Sequence, residues 1–273
     1  MMKFLMSFFI VFKIFSYSDY EELKCHSSSS TQKEAASELM KYVLLKGDEK
    51  VLDIGCGNGK ISAEVAQKLT SGTLIGVDIS AEKIDFATNS FEVPNLCFFL
   101  KDARNLDFVK EFDLICSFST LQWVHDHEQF LQGAYESLKV SGTLAVTMPM
   151  GPPDSLEQAV KDVATEPLWS SYFQEFSTGW NFVSKEQYTK ILKENSFKIK
   201  RCCEVPQKDI FFSRSEFEEF IKRWFVYLRP LPNSLKPIFL EEVVDRFLEK
   251  EEIFPNGEVH FKTRRLEVIA VKE

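Results

Sequence analysis

Histidine is scarce in this 273-residue chain, four in all, and the four show no metal-ligand spacing, which argues against a zinc or other metal centre. Cysteine is hardly commoner: there are six, no Cys-x-x-Cys pair occurs, and Cys202 and Cys203 are adjacent. Several lie in apolar runs (Leu96–Phe99, Leu114–Ser117), so they read as small buried hydrophobes in a reducing compartment. Positive charge is in deficit. The 33 Lys and Arg are outnumbered by 41 Asp and Glu, a formal net charge of −8, which excludes broad attraction to nucleic acid. The acidic stretches Glu216–Glu219 and Glu249–Glu252 read as solvated helix faces. Long apolar runs are missing as well. The stretch between Lys3 and Lys13 is too short to span a membrane. With its basic start and the small residues Ser16 and Ser18 it has the look of a weak signal sequence. The remainder of the chain has the character of a cytosolic enzyme, so residues 1–19 are expected to be an apolar extension. Glycine is sparse too, but three of its 11 residues fall within five positions, at 55, 57 and 59.

Around that cluster the chain alternates two periodicities. Apolar residues at helical spacing over 34–45 (Ala35, Leu39, Met40, Val43) precede a short apolar run, Val51–Ile54, and then the glycines. A helix is expected over 61–69, a strand over Leu74–Val77, and a helix over Ala81–Phe91 capped by Ser80. Strands follow at Leu96–Leu100 and Phe112–Phe118, a helix at Phe130–Leu138, a turn at Val140–Gly142 and a strand at Thr143–Met148. Strands alternating with helices, each strand a nearly continuous apolar run, predict βαβ units in a parallel sheet covered on both faces. After Met150 the rhythm breaks: residues 152–185 read as aromatic-rich and irregular. A helix at Lys185–Glu194 leads to a strand at Phe197–Val205. Two helices within 213–250 flank Arg229–Asn233, and an interrupted last strand covers Val259–Lys262 and Leu266–Val271.

The run Val51-Leu52-Asp53-Ile54-Gly55-Cys56-Gly57-Asn58-Gly59 places a glycine loop between a strand and a helix. Glycines allow positive φ and close approach of backbone to a ligand, and a helix N-terminus stands beside it. By itself such a loop serves NAD, FAD or S-adenosylmethionine (SAM). Its details favour SAM. A dinucleotide fingerprint needs glycine at position 60, which is Lys60. Asp53 just before the loop would repel a pyrophosphate but suits the ammonium of an amino-acid cofactor. Asp78, 25 positions on, ends the second strand, where a carboxylate can take both hydroxyls of a ribose. Asp102 and the Ala103 N–H, after the third strand, suit an adenine amino group and ring nitrogen. Phe118 to Trp123 follows the fourth strand at the carboxyl edge of the sheet, where ligands bind in such folds. His125 and His127 read as exposed residues at a helix start.

As a set these residues resemble the class I SAM-dependent methyltransferases. The closest likeness is to the trans-aconitate and juvenile hormone acid methyltransferases, which act on carboxylate oxygens. The closer likeness lies in Leu121–His127, in Ser30–Ala36, in Leu228-Arg229-Pro230, and in Asn256–Glu258 with Leu266–Ala270. It implies an α/β fold: a seven-stranded, mostly parallel, Rossmann-like sheet with helices on both faces and an α-helical cap. Residues 20–151 would be the SAM-binding core, and 152–273 the cap insertions and last strands. It carries over Asp53, Gly55, Gly57, Asp78, Ile79, Asp102, Ala103 and Ser119 as SAM-binding residues and Gln32 and Trp123 as substrate-binding residues. Arg229 could take a second acid group, and Trp169, Tyr172, Phe173, Trp180, Trp224 and Tyr227 would line a lid. The expected reaction is methyl transfer to a small carboxylic acid, in the cytoplasm, without metal or general base. Malonyl-carrier-protein methyltransferases share the Gln-Trp element. A carbon acceptor would need a base, for which His125 stands nearest. A nicotinamide dehydrogenase and a non-catalytic SAM-binding protein are the more distant alternatives.

Overall fold

The computed structural model describes residues 31–251 and 254–273; the apolar start, Ser16, Ser18, Cys25, Ser27–Ser30 and Glu252 lie outside them. Helix α1 covers residues 31–40. Then come β1 (Lys50–Ile54), α2 (Lys60–Ala66), β2 (Thr73–Asp78), α3 (Ala81–Ser90), β3 (Leu96–Leu100) and β4 (Phe112–Phe118). A 3-10 turn (Leu121–Trp123), α4 (His127–Ser137) and β5 (Leu138–Pro149) complete the alternating half. The rest is α5 (Asp154–Ala164), α6 (Ser170–Phe173), α7 (Lys185–Glu194), β6 (Phe197–Phe211), α8 (Arg214–Lys222), α9 (Lys236–Leu248) and β7 (Val259–Lys272).

The seven strands form one sheet in the order β3-β2-β1-β4-β5-β7-β6. The first five are parallel; β7 runs antiparallel to both of its neighbours. Chain order turns from one side of β1 to the other when β4 is laid down. The crevice between the carboxyl ends of β1 and β4 is therefore the switch point at which open α/β sheets bind ligands. Alternating strand residues feed two cores, Leu52, Ile54, Phe112 and Val146 into one and Val51, Leu74, Leu114 and Ala145 into the other. A third core joins α5, α8 and α9 around Trp169, Phe217, Phe239 and Phe247, together with Phe211, Val259 and Phe261 from the far ends of β6 and β7. No helix among the described residues is long and apolar enough to cross a membrane.

Several expectations change. Residues 152–185 are not irregular throughout, because Leu156, Ala159, Val160 and Val163 recur at helical spacing and bury one face of α5. The expected turn at Val140–Gly142 is a bulge inside β5: pairing with β4 jumps from Phe112↔Leu138 to Leu114↔Thr143, and Ser141 stands at φ 66. β7 is one strand, since β6, longer than expected, pairs with it from Phe197↔Lys272 to Phe211↔Val259 and supplies backbone partners across the polar stretch Lys262–Arg265. α4 begins at His127 because Asp126 caps it, accepting from the Gln129 N–H at 2.8 Å. His127 is accordingly buried, not exposed, with its ring edge-on to Tyr188. Cys97 departs from the expectation of burial: it is exposed on β3, an edge strand.

Candidate functional site

Each of the three loop glycines sits at positive φ: Gly55 at 71°, Gly57 at 57° and Gly59 at 81°. Only two of them are crowded. A Cβ on Gly55 would stand 2.1 Å from Thr120 Cγ2, and one on Gly59 2.6 Å from the Phe98 ring. A Cβ on Gly57 would meet nothing within 4 Å. Gly55 and Gly59 thus answer to the packing of the protein, whereas at Gly57 bare backbone faces open space. The N–H groups of Gly55 and Cys56 are spent on the Val77 carbonyl, at 2.7 and 2.9 Å, which ties the loop to β2.

Beneath the loop lies Asp53, 2% exposed. Its Oδ2 accepts from Ser62 Oγ at 2.5 Å, while Oδ1 is buried without a partner. Desolvation pushes this carboxyl up to about 6. An orphaned buried oxygen at the end of a strand, below an open glycine, suits a cationic donor. Asp78 does more than its sequence position suggested. Its Oδ2 accepts from the Gly57 N–H at 3.0 Å and its Oδ1 from the Ser80 N–H at 2.9 Å, so it braces the loop. Each oxygen keeps lone-pair capacity for a further donor. Ile79 beside it is 69% exposed. Asp102 is bound to its neighbour: the Arg104 guanidinium donates to both of its oxygens, which holds the carboxyl below its usual range. An adenine amino group there would share the carboxylate with Arg104. Ala103 is buried.

From the β4 side, Ser119 turns at φ 55 and its N–H donates to the Thr147 carbonyl at 2.8 Å. Thr120 Oγ1 then donates to the Gly55 carbonyl at 3.1 Å, closing the crevice floor between β1 and β4. Trp123, at the end of the 3-10 turn, is 39% exposed. Gly55, Asp78, Ile79, Asp102, Ala103, Thr120, Trp123, Val124 and His125 line one cleft of about 150 Å³. Asp53, buried on β1, Gly57 and Ser119 are not among its lining residues.

The cap meets the cleft at Trp123. The Arg229 guanidinium lies 5.3 Å from the Trp123 ring centre, and Trp180 stands 6.2 Å from it. Trp180 also packs against Phe182, Trp224 and Tyr227. Three of the expected lid aromatics lie elsewhere. Trp169 is fully buried in the cap, edge-on to Phe239, and its indole N–H donates to Glu242 at 2.7 Å; Phe173 stacks on the same Phe239. Tyr172 borders an open hollow on the outer cap with Phe176 and Pro230. Gln32 is exposed on α1 and is not among the residues lining the cleft. Sequence reasoning missed Ser62 and Thr120. Their signal was positional: a hydroxyl in the first turn after the glycine loop, and one directly after the fourth strand.

The cleft therefore has the carboxylates of Asp78 and Asp102 on the sheet side and Trp123 on the other, with Arg229 and Trp180 of the cap against the Trp123 ring. Comparison with known proteins gives the family. A family model described as a methyltransferase domain matches residues 45–208. The trans-aconitate 2-methyltransferase of Deinococcus radiodurans is 31% identical over 153 residues, 56% of this chain and 55% of that protein. The trans-aconitate 2-methyltransferase of Escherichia coli is 26% identical over 249 residues, 89% of this chain and 94% of that protein. Among solved structures, a phosphoethanolamine N-methyltransferase of Haemonchus contortus, in complex with phosphomonomethylethanolamine and S-adenosylhomocysteine, superposes with a TM-score of 0.55. It is 17% identical, and the match covers 89% of this chain and 53% of that one, so it speaks for the fold alone.

Proposed function

The chain belongs to the methyltransferase-domain family, and from that premise we propose that it moves a methyl group from SAM to a carboxylate oxygen of a small organic acid. The observation that carries the reading is the pair of features on either side of the glycine loop: an unsatisfied buried acid, Asp53, on β1 and Trp123 under the Arg229 guanidinium of the cap. The residues present fit the cofactor. Asp53 Oδ1 lacks the donor that an amino-acid ammonium would supply, and the open side of Gly57 leaves room for it. Asp78 would take the ribose hydroxyls, and Asp102 with the Ala103 N–H the adenine edge. Ile79 would cover the adenine face, and Gly55, Gly57 and Ser119 would border the ligand with backbone. When bound, SAM supplies a methyl group activated by its sulfonium charge.

The chain's part would then be to hold and desolvate the acceptor. A carboxylate, with a reference pKa near 4, is ionised at neutral pH and needs no general base. Trp123 and Gln32 would hold one of its oxygens and leave the other free to attack; Arg229 would neutralise an acid group of the acceptor. Alignment of this kind is worth on the order of 7–11 kcal/mol. Trp180, Trp224 and Tyr227 would keep water from the acceptor. In this reading residues 20–151 form the cofactor core, 152–273 the cap and last strands, and 1–19 an extension. The cytoplasm, where SAM is a metabolite, suits the free cysteines Cys56, Cys97, Cys116, Cys202 and Cys203.

Methyl-labelled SAM supplied with a panel of mono-, di- and tricarboxylic acids, amines, phenols and a malonyl thioester tests the reading. Transfer to one or more acids supports it. Transfer to an amine, a phenol or the malonyl carbon, with every acid inert, refutes it.

A further inference from the structure

The residue that fixes Trp123 comes from the cap. Asn181 lies between Trp180 and Phe182 in the linker leading to α7. Its backbone N–H donates to the Gln122 carbonyl at 2.7 Å. Its side-chain amide donates to the Val124 carbonyl at 2.9 Å and to the His125 carbonyl at 3.0 Å. One residue thereby binds the three carbonyls that bracket Trp123 in sequence. The bonds that the Trp123 turn makes besides these are short-range: Trp123 N–H to the Thr120 carbonyl, Val124 N–H to the Leu121 carbonyl, and Gln122 Nε2 to the Ser119 carbonyl. Its indole, too, is flanked by cap groups, Trp180 and Arg229.

We infer that Asn181 is a positioning residue for the acceptor, a latch that ties the Trp123 turn, whose Leu121 and Val124 are seated in the sheet core, to the cap and so fixes the indole between the two. The inference rests on the reading of Trp123 as an acceptor contact. Asparagine suits the position because its NH₂ carries two donors, one for each of two neighbouring carbonyls. Aspartate, of the same size, offers only acceptors and would set a carboxylate against both. The consequence is that the indole stands in its working place only while residues 180–182 are docked, so acceptor recognition and cap docking are one event. The cofactor acids lie outside this coupling, because Asp53, Gly57 and Asp78 are tied to β1, β2 and α2; of the cofactor residues only Ser119 bonds directly to the latched turn, through Gln122.

The test uses the full chain and the variants Asn181→Ala, Asn181→Asp and Trp123→Ala. S-adenosylhomocysteine affinity is measured by calorimetry. The near-ultraviolet circular dichroism of the Trp123–Trp180 pair, assigned with Trp123→Phe, needs no acceptor. KM and kcat are taken for the acids of the panel above. The latch predicts S-adenosylhomocysteine affinity within twofold of wild type in both Asn181 variants. It also predicts loss of the Trp123 band and a rise of at least tenfold in acceptor KM, with Asn181→Asp the worse. An intact band in Asn181→Ala overturns it, as does loss of S-adenosylhomocysteine affinity as large as the loss in acceptor KM. If the band is lost in Asn181→Ala while Trp123→Ala turns over acids normally, the latch stands and the assignment of Trp123 to the acceptor falls.

Discussion

Two glycine-to-alanine substitutions two residues apart should fail in different ways. At Gly55 the new methyl would stand 2.1 Å from Thr120 Cγ2 and 2.2 Å from its Oγ1, and φ is 71°. A non-glycine residue in the left-handed region costs about 1–2 kcal/mol, and forcing a methyl into packed structure about 1–3 more. Gly55→Ala should therefore lose roughly 2–5 kcal/mol of folding stability, since Thr120 is pinned by its bond to the Gly55 carbonyl. At Gly57, with φ 57° and no atom within 4 Å, only the backbone cost of about 1–2 kcal/mol applies. What Gly57→Ala loses instead is the space in which bare backbone meets the cofactor. Urea unfolding without ligand, paired with S-adenosylhomocysteine calorimetry, separates the two. Gly57→Ala should lose only that backbone cost, about 1–2 kcal/mol, yet bind at least tenfold more weakly. Trimming Thr120 to alanine in the Gly55→Ala background should recover part of the lost stability, about 1–2 kcal/mol. Equal destabilisation by both substitutions, or undiminished binding by Gly57→Ala, would refute the assignment of Gly57 to the cofactor face.

Asp53 gives a pH dependence of opposite sign for stability and binding. Its carboxyl stands near 6 when folded against an ordinary 3.8, so the native state keeps a proton that the unfolded chain has released. Stability should fall as pH rises from about 4 to 6, by at most ~3 kcal/mol. Affinity for S-adenosylhomocysteine should rise through the same window and level off above it, and Asp53→Asn should flatten both profiles. Arg229→Ala should raise acceptor KM about tenfold, with KM for SAM unchanged, as initial-rate kinetics would show; a matching loss for SAM would remove Arg229 from the acceptor end. Phe239→Ala, at the centre of the cap core, should cost about 3–5 kcal/mol in thermal or urea unfolding and abolish acceptor turnover before it affects cofactor binding.

The sheet and the loops at its carboxyl edge were legible because they depend on local signals. Apolar runs such as Val51–Ile54 are buried on both faces, and loops at strand ends carry the acids and glycines that the topology then gathers. The cap was less legible. α5 was obscured by the prolines and aromatics around it, although its own apolar spacing is regular. β7 looked broken because Lys262–Arg265 is polar, and its continuity comes from β6, a partner that periodicity cannot reveal. His127 looked like an exposed helix start until Asp126 capped α4 one turn earlier. The partners that matter most, Ser62 for Asp53, Thr120 for Gly55 and Asn181 for the Trp123 turn, are separated from them by 9, 65 and about 56 positions. Ser62 returns to Asp53 through the first turn of α2, whereas no local pattern joins the other two pairs; the crossing of β4 beside β1 and the return of the cap bring those together.

Under the proposed function, the methyl group goes to a carboxylate oxygen. The direct measurement is to isolate the product formed from methyl-labelled SAM and the preferred acceptor and treat it with mild alkali. A methyl ester releases the label as methanol, which the account predicts. Label that stays on the product through alkali, as it would on nitrogen, carbon or a phenol ether, would contradict it.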